Sequence, residues 1–252
     1  MSSTIEVSTP YQIVRIKDEY GRMQMIGLIL CGGEARRFYP SIIPKSLLEI
    51  KDGVTVLDEQ LKLFSKHNFK RVVLLAGHQT GGDKIVERGF RARKRYNLQV
   101  DAILEDIPKG TLIAVREGMK AVNEDVMLCN GDVLTDINLS DMMNKFKRDD
   151  RLATMLIVKM RSPYGVIKTD NKYITEFVEK PHLDYFINGG YYCFKHELLS
   201  YLEGYEKGDI EKEVFPKLAS MKQLTYYKEK NPYWKSLDTY ADLKEVRETY
   251  GR

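Results

Sequence analysis

The stretch LILCGGEARRFYPSIIPKSLLEI, Leu28 to Ile50, decides how the chain is read. An apolar run stops at Gly32 and Gly33, and Arg36, Arg37 and Lys45 follow in a segment that also holds Pro40 and Pro44. The apolar run reads as a buried strand. In an open α/β sheet, ligands sit at the carboxyl ends of the strands, and glycines there let backbone N–H groups come close to phosphate oxygens. The prolines keep the following residues extended. Cations gathered beside such a loop suit a polyphosphate; the alternative is a tight turn that merely carries surface cations. Two familiar phosphate loops are excluded. No Gly-Lys-Ser or Gly-Lys-Thr follows, and GGEARR lacks the spacing of a dinucleotide loop and runs to a proline, where that loop would open a helix.

Outward from this stretch, strand and helix patterns alternate. A β run over residues 25–31 is followed by a helical pattern near 56–67, a β run at 71–76, a helix near 83–96 and the strand LQVDAIL. Another helix near 111–122 leads into DVMLCNGD. Units of this kind predict an α/β fold: a mostly parallel, Rossmann-like central sheet with helices on both faces. After Asp150 the texture changes to short strands, LATMLIVKM, YGVIKTDNKYITEFVEKP and GGYYCFK, with a hairpin expected at Asp170–Asn171. A small antiparallel region is therefore expected on the parallel core. The amphipathic DIEKEVFPKLA, the strand LTYYKEK, and a strand running into a last helix near Tyr240 close the chain. Two units are expected: residues 1–24 as an appended extension, where YQIVRIKDEYGRM suggests a strand and turn, and residues 25–252 as the functional domain.

The chain of 252 residues can bury a sizeable core. A formal charge of +4, from 40 Lys and Arg against 36 Asp and Glu, is too close to balance for a nucleic-acid binder. No apolar run reaches the roughly 18 residues of a membrane span, and the polar start has no signal-peptide core. Cys31, Cys129 and Cys193 are odd in number and far apart in apolar surroundings, which predicts free buried thiols and a cytoplasmic location. Neither the cysteines nor the four histidines have metal-site spacing.

The opening stretch resembles the signature of the sugar-phosphate nucleotidyltransferases, G-G-x-G-T-R-L-x-P followed by a P-K pair. Gly32, Gly33, Arg37, Phe38, Pro40, Pro44 and Lys45 match it, whereas Ala35 and Arg36 stand where that family has glycine and threonine. Four more stretches are similar in the same order: ILEDIPKGTLIA, LCNGDVLTDINL, the Y-G-V and E-K-P pair around Tyr164 and Lys180, and FINGGYYCF. The nearest branches are the hexose-1-phosphate guanylyl-, cytidylyl- and thymidylyltransferases. The resemblance implies transfer of a nucleotidyl group from a nucleoside triphosphate to a sugar 1-phosphate, with magnesium as cofactor and pyrophosphate as the second product.

It also implies roles residue by residue. Arg37 and Lys45 neutralise phosphates, Asp132 holds magnesium, Gly32 and Gly33 receive the triphosphate, and Glu105 and Gly110 meet the base. Tyr164, Gly165, Glu179, Lys180, Asn188 and Gly189 surround the sugar phosphate. The second metal ligand departs from the pattern, because Ser236 follows Trp234 where many members have aspartate. A W-x-x-M-D-T run in the cytidylyltransferase branch matches Trp234, Leu237, Asp238 and Thr239, which assigns Asp238. Alternate residues of an extended strand share a face, so Asp238 can reach where residue 236 would. Its competing role is a helix cap. A carboxylate at Glu105 only accepts hydrogen bonds, which suits guanine or the amino group of cytosine and favours GTP or CTP.

Two other functions stay open on the residues. A non-catalytic regulatory homologue that binds a nucleotide or nucleotide sugar would tolerate Ala35, Arg36 and Ser236. A glycosyltransferase would want an Asp-x-Asp metal motif, and Asp132 and Asp136 are spaced too widely for one. No nucleic-acid or membrane partner is expected, and a homo-oligomer stays open.

Overall fold

The computed structural model describes residues 25–32 and 43–250. The strand and turn expected in the first two dozen residues lie outside the described residues.

Among the described residues, thirteen strands and eight α-helices follow one another. The strands are β1 (Ile26–Leu30), β2 (Glu49–Lys51), β3 (Val54–Thr55), β4 (Arg71–Gly77), β5 (Gln99–Glu105), β6 (Val126–Asn130), β7 (Val133–Thr135), β8 (Ala153–Arg161), β9 (Val166–Asp170), β10 (Tyr173–Val178), β11 (His182–Phe194), β12 (Leu224–Tyr227) and β13 (Trp234–Ser236). The helices are α1 (Val56–Lys66), α2 (Gly82–Tyr96), α3 (Thr111–Val122), α4 (Leu139–Asp149), α5 (Leu199–Leu202), α6 (Ile210–Glu213), α7 (Phe215–Ser220) and α8 (Tyr240–Thr249).

A seven-stranded sheet, ordered β12-β8-β11-β6-β1-β4-β5, forms the centre. β1 pairs in parallel with β4 and β6, β4 with β5, and β8 with β12, while β11 runs against both β6 and β8. Alternate strand residues bury opposite faces, as the pleat requires. Ile29, Leu74 and Cys129 pack with Leu57, Leu61 and Phe64 of α1, Ile85 of α2 and Phe146 of α4. Ile26, Leu28, Val73 and Leu75 pack on the other face with Leu112, Val115 and Met119 of α3 and Phe215 and Leu218 of α7. Helices thus cover both faces of a mostly parallel sheet, as the alternating pattern predicts. Phe64 is wholly buried and its ring meets Phe69 edge-on at 4.8 Å; truncating such a side chain to alanine costs about 3–5 kcal/mol.

Small antiparallel pairs flank this core: β9 with β10, β7 with β13, and β2 with β3. The hairpin turn falls one residue later than the sequence pattern suggests, at Asn171 and Lys172, with Asn171 in the left-handed region. Both strands of this hairpin are exposed along their length, carrying Ile167, Tyr173, Ile174 and Phe177 into solvent. Two elements differ from expectation. DIEKEVFPKLA breaks into α6 and α7, because Pro216 has no N–H to continue a single helix. The strand expected at GGYYCFK extends back to His182, crossing an irregularity between Asn188 and Tyr192.

A third cluster joins Leu48, Ile50, Val56, Leu134 and Leu237 to Leu243 and Val246 of α8. It anchors the last helix beside the carboxyl ends of β1 and β6.

Candidate active site

β1 and β6 are neighbours in register, with Leu30 opposite Asn130, so both chains leave the sheet at the same edge. Immediately after β6, the Gly131 N–H donates to the Leu30 carbonyl at 2.9 Å. A Cβ on Gly131 would lie 2.4 Å from that oxygen, so only glycine allows the approach. This contact turns the chain and presents Asp132.

β7 follows at once and pairs antiparallel with β13, Val133 opposite Ser236. One residue beyond, the Leu237 N–H donates to the Asp132 carbonyl at 2.9 Å. That bond sets Asp238 beside Asp132. Ser236 and Asp238 share a strand face, and the Ser236 hydroxyl donates to the second carboxylate oxygen of Asp238 at 2.9 Å. The capping role for Asp238 is excluded. Thr239 is the N-cap of α8, in a reciprocal capping box with Asp242.

Lys45 arrives from the other side. Pro44 packs close over Gly81, the left-handed residue preceding α2, and the following turn, Lys45–Leu47, points the lysine inward. Its ammonium donates to Asp132 at 2.7 Å and to Asp238 at 2.8 Å. The lysine side chain is 16% exposed, against 24% for Asp132 and 45% for Asp238. Burial disfavours the charged lysine, but the charge of Asp132 and the hydrogen bonds to both acids outweigh it and raise the lysine pKa. Burial likewise works against ionised Asp238, yet the hydrogen bonds from Lys45 and Ser236 hold its pKa below the usual value.

Lys45 and Asp132 border a cleft of about 280 Å³ that Gly32, Glu105, Gly110, Asp209 and Glu211 also line. A clamp between two distant segments shapes the part of the cleft around Gly110. Gly110, at φ +98°, precedes α3. The Gly208 carbonyl accepts from the Leu112 N–H at 3.0 Å, while the Gly208 N–H donates to the Lys109 carbonyl at 2.9 Å. A Cβ on Gly110 would be 2.2 Å from the Gly208 oxygen. Thr111 completes the clamp, its hydroxyl donating to Glu211 at 2.9 Å and accepting from the Ile210 N–H at 3.0 Å. Burial raises the Glu105 pKa, with Lys109 opposing and Glu117 reinforcing the shift.

The residues expected at the sugar phosphate form a second group. Gly165 lies beside Glu179 and Phe177; a Cβ there would meet the Phe177 ring at 2.5 Å and the Glu179 carboxylate at 3.0 Å. Tyr164 is exposed at the start of the same hairpin, and Lys180 follows it in the left-handed conformation, its carbonyl accepting from Arg161. Asn188 is engaged in the irregularity of β11: its side-chain oxygen accepts from the Gly190 N–H at 3.0 Å and its amide donates to the Tyr192 hydroxyl at 2.8 Å. The Gly189 carbonyl accepts from the Trp234 indole at 2.8 Å, tying this bulge to the strand that carries Ser236. None of these side chains lines the cleft around Lys45. Gly33 and Arg37, together with Ala35 and Arg36, lie outside the described residues.

Asp209 and Glu211 escape sequence reading because they fall in what looks like an ordinary amphipathic helix; only the clamp on Gly110 brings them to the cleft. Among the described residues no three His, Cys, Asp or Glu side chains gather as a self-sufficient metal cage. The two carboxylates do converge on one cation, the Lys45 ammonium. Hard oxygen donors from one or two carboxylates, completed by substrate phosphates, are the set magnesium takes, and Asp132 and Asp238 fit it. All three cysteines are free and buried.

The Nucleotidyl transferase family model matches residues 26–252. A mannose-1-phosphate guanylyltransferase catalytic subunit beta from Danio rerio is 30% identical over 231 residues, covering 87% of this chain and 62% of the relative. A UTP–glucose-1-phosphate uridylyltransferase from Synechocystis sp. is 28% identical, covering 77% of this chain and 55% of its own length. The chain thus spans less than two thirds of the curated relatives it matches. Two structures of HddC from Yersinia pseudotuberculosis, one complexed with GMP-PN, superpose with TM-scores of 0.70 and 0.69 at 21% identity, over 89% of this chain and 99% of theirs, which shows the shared fold. The chain belongs to the nucleotidyl transferase family.

Proposed function

We propose that the chain transfers a guanylyl group from GTP to a hexose 1-phosphate, releasing pyrophosphate and a GDP-sugar. The observation that carries this reading is the convergence of Asp132 and Asp238 on Lys45, with Asp132 and Lys45 lining the same cleft as Glu105 and Gly110. In this reaction a phosphate oxygen of the sugar 1-phosphate attacks the α-phosphorus, and the bond to the bridging oxygen of the β-phosphate breaks. The barrier is dominated by bringing anions together and by charge that builds on the phosphoryl oxygens, so fixed positive charge is the main requirement. A side-chain nucleophile is unnecessary.

Asp132 and Asp238 would hold magnesium, which when bound supplies Lewis-acid neutralisation of the phosphate oxygens. Lys45 serves as a point charge near the α-phosphate. Arg37, with a planar fork of donors, grips the triphosphate and balances the departing pyrophosphate, and Gly32 and Gly33 let the backbone approach it. Gly110 admits the base, and Glu105 accepts hydrogen bonds from the donor edge of guanine, in keeping with the guanylyltransferases among the relatives. Glu179, Lys180 and Asn188, with Tyr164, Gly165 and Gly189, form the sugar-phosphate end, and mannose 1-phosphate is the first acceptor to try. Three buried thiols support a reducing, cytoplasmic setting.

A panel of four nucleoside triphosphates against several hexose 1-phosphates, with the product identified by mass, tests the proposal. A GDP-hexose is the expected product. Nucleotide or nucleotide-sugar binding without product from any pair would instead support a regulatory homologue.

A further inference from the structure

Lys45 has an unusual place for a phosphate-binding lysine. Its ammonium stands between the two carboxylates, 2.7 Å from Asp132 and 2.8 Å from Asp238, where a cation would be coordinated. The contact is confined: the lysine is mostly buried, and Ser236 holds the other oxygen of Asp238. Two carboxylates brought this close repel each other unless a positive charge lies between them. Before substrate arrives, Lys45 supplies that charge.

We infer that Lys45 is an internal stand-in for the divalent ion, keeping the Asp132–Asp238 pair assembled while excluding free metal until a nucleotide's phosphates draw the ammonium away. This deepens the proposed function and rests on the metal-binding role given there to the two acids. A divalent ion entering alone must expel the ammonium from two charge-assisted hydrogen bonds and leave it without a partner in a part-buried site. An ion entering with a triphosphate meets a different balance, because the phosphate oxygens accept from the displaced lysine. Metal and nucleotide affinity are therefore coupled through one side chain, and that coupling is reciprocal. Through Lys45 the site discriminates free metal from a metal–nucleotide complex, which the two acids alone would not do.

Mn²⁺ binding, followed by electron paramagnetic resonance without nucleotide, tests this on the full chain. Close charge pairs with coupling of this kind are worth a tenfold or larger change, so Lys45→Met is expected to bind Mn²⁺ at least about tenfold more tightly than the wild type. Lys45→Arg, which keeps the charge, is expected to bind as weakly as the wild type. Asp132→Asn in the Lys45→Met background is expected to abolish the gain. A non-hydrolysable GTP analogue should raise Mn²⁺ affinity more in the wild type than in Lys45→Met. Thermal melts guard against a misfolded variant: Lys45→Met should melt lower than the wild type and regain stability with added Mn²⁺. Equal or weaker Mn²⁺ binding by Lys45→Met, with binding still lost on Asp132→Asn, would overturn the stand-in role while leaving the metal site intact. Absence of Mn²⁺ binding in every variant, with nucleotide present, would overturn both.

Discussion

Asp132 and Asp238 accept hydrogen bonds from one shared donor, the Lys45 ammonium, although Lys45 lies 87 and 193 positions from them in the chain. Their meeting is made by backbone: the Leu237 N–H donates to the Asp132 carbonyl, and the preceding residues pair as β7 and β13. Ser236 then fixes the Asp238 carboxylate from behind. Replacing Ser236 with alanine removes an orienting hydrogen bond and leaves the charge, so turnover should fall by about tenfold with little change in nucleotide affinity. Steady-state kinetics at saturating and subsaturating metal check this. An unchanged apparent metal affinity and rate would deny the serine an orienting role.

The base contact proposed for Glu105 predicts a pH dependence. Its pKa is raised by burial, so it becomes protonated at a higher pH than an ordinary carboxylate. Only the ionised form offers acceptors alone to guanine, so GTP affinity is full above that raised pKa and declines as pH falls through it. Glu105→Gln should flatten this decline and erode discrimination between GTP and UTP by about 10- to 100-fold, the worth of a good polar base contact. Equilibrium titrations of both nucleotides across pH measure it.

Gly110 takes a backbone conformation that residues with a side chain rarely adopt. Its φ is +98°, and a Cβ would collide with the Gly208 carbonyl at 2.2 Å. Gly110→Ala should destabilise the fold by about 1–3 kcal/mol and open the clamp that places Asp209 and Glu211. Urea denaturation reads the first effect, and a raised KM for the triphosphate the second.

Trp234 links β13 to the β11 bulge, its indole donating to the Gly189 carbonyl. Trp234→Phe keeps the ring and loses the donor, at a cost of about 1 kcal/mol. The bulge carries Asn188, so KM for the sugar phosphate should rise while KM for the triphosphate stays near its original value. Equal effects on both would contradict a local role.

Periodicity makes most of this fold legible. β1, β4 and β6 are largely apolar runs, β5 mixes apolar with polar residues, and α1, α2 and α3 carry apolar residues at helical spacing between them. α4 is absent from the pattern reading even though Leu139, Met142 and Phe146 keep helical spacing, because polar residues crowd its other face. Motifs name Lys45, Asp132 and Asp238, and the structure brings their side chains together. Asp209 and Glu211 could not be read in the same way. Their place depends on paired hydrogen bonds between residues 109–112 and 208–211, segments distant in sequence and joined by a glycine whose conformation no residue type announces.

The proposed function turns on a divalent ion that residues 132 and 238 would hold, with the Lys45 ammonium released to the phosphates, so that two anions can meet. Pyrophosphate release from GTP and mannose 1-phosphate, measured with and without magnesium for the wild type, Asp132→Asn and Asp238→Asn, tests it most directly. Magnesium-dependent release by the wild type, falling on the order of 10²–10³-fold in each variant, is predicted. Release that persists without magnesium, or that survives either substitution, would contradict it.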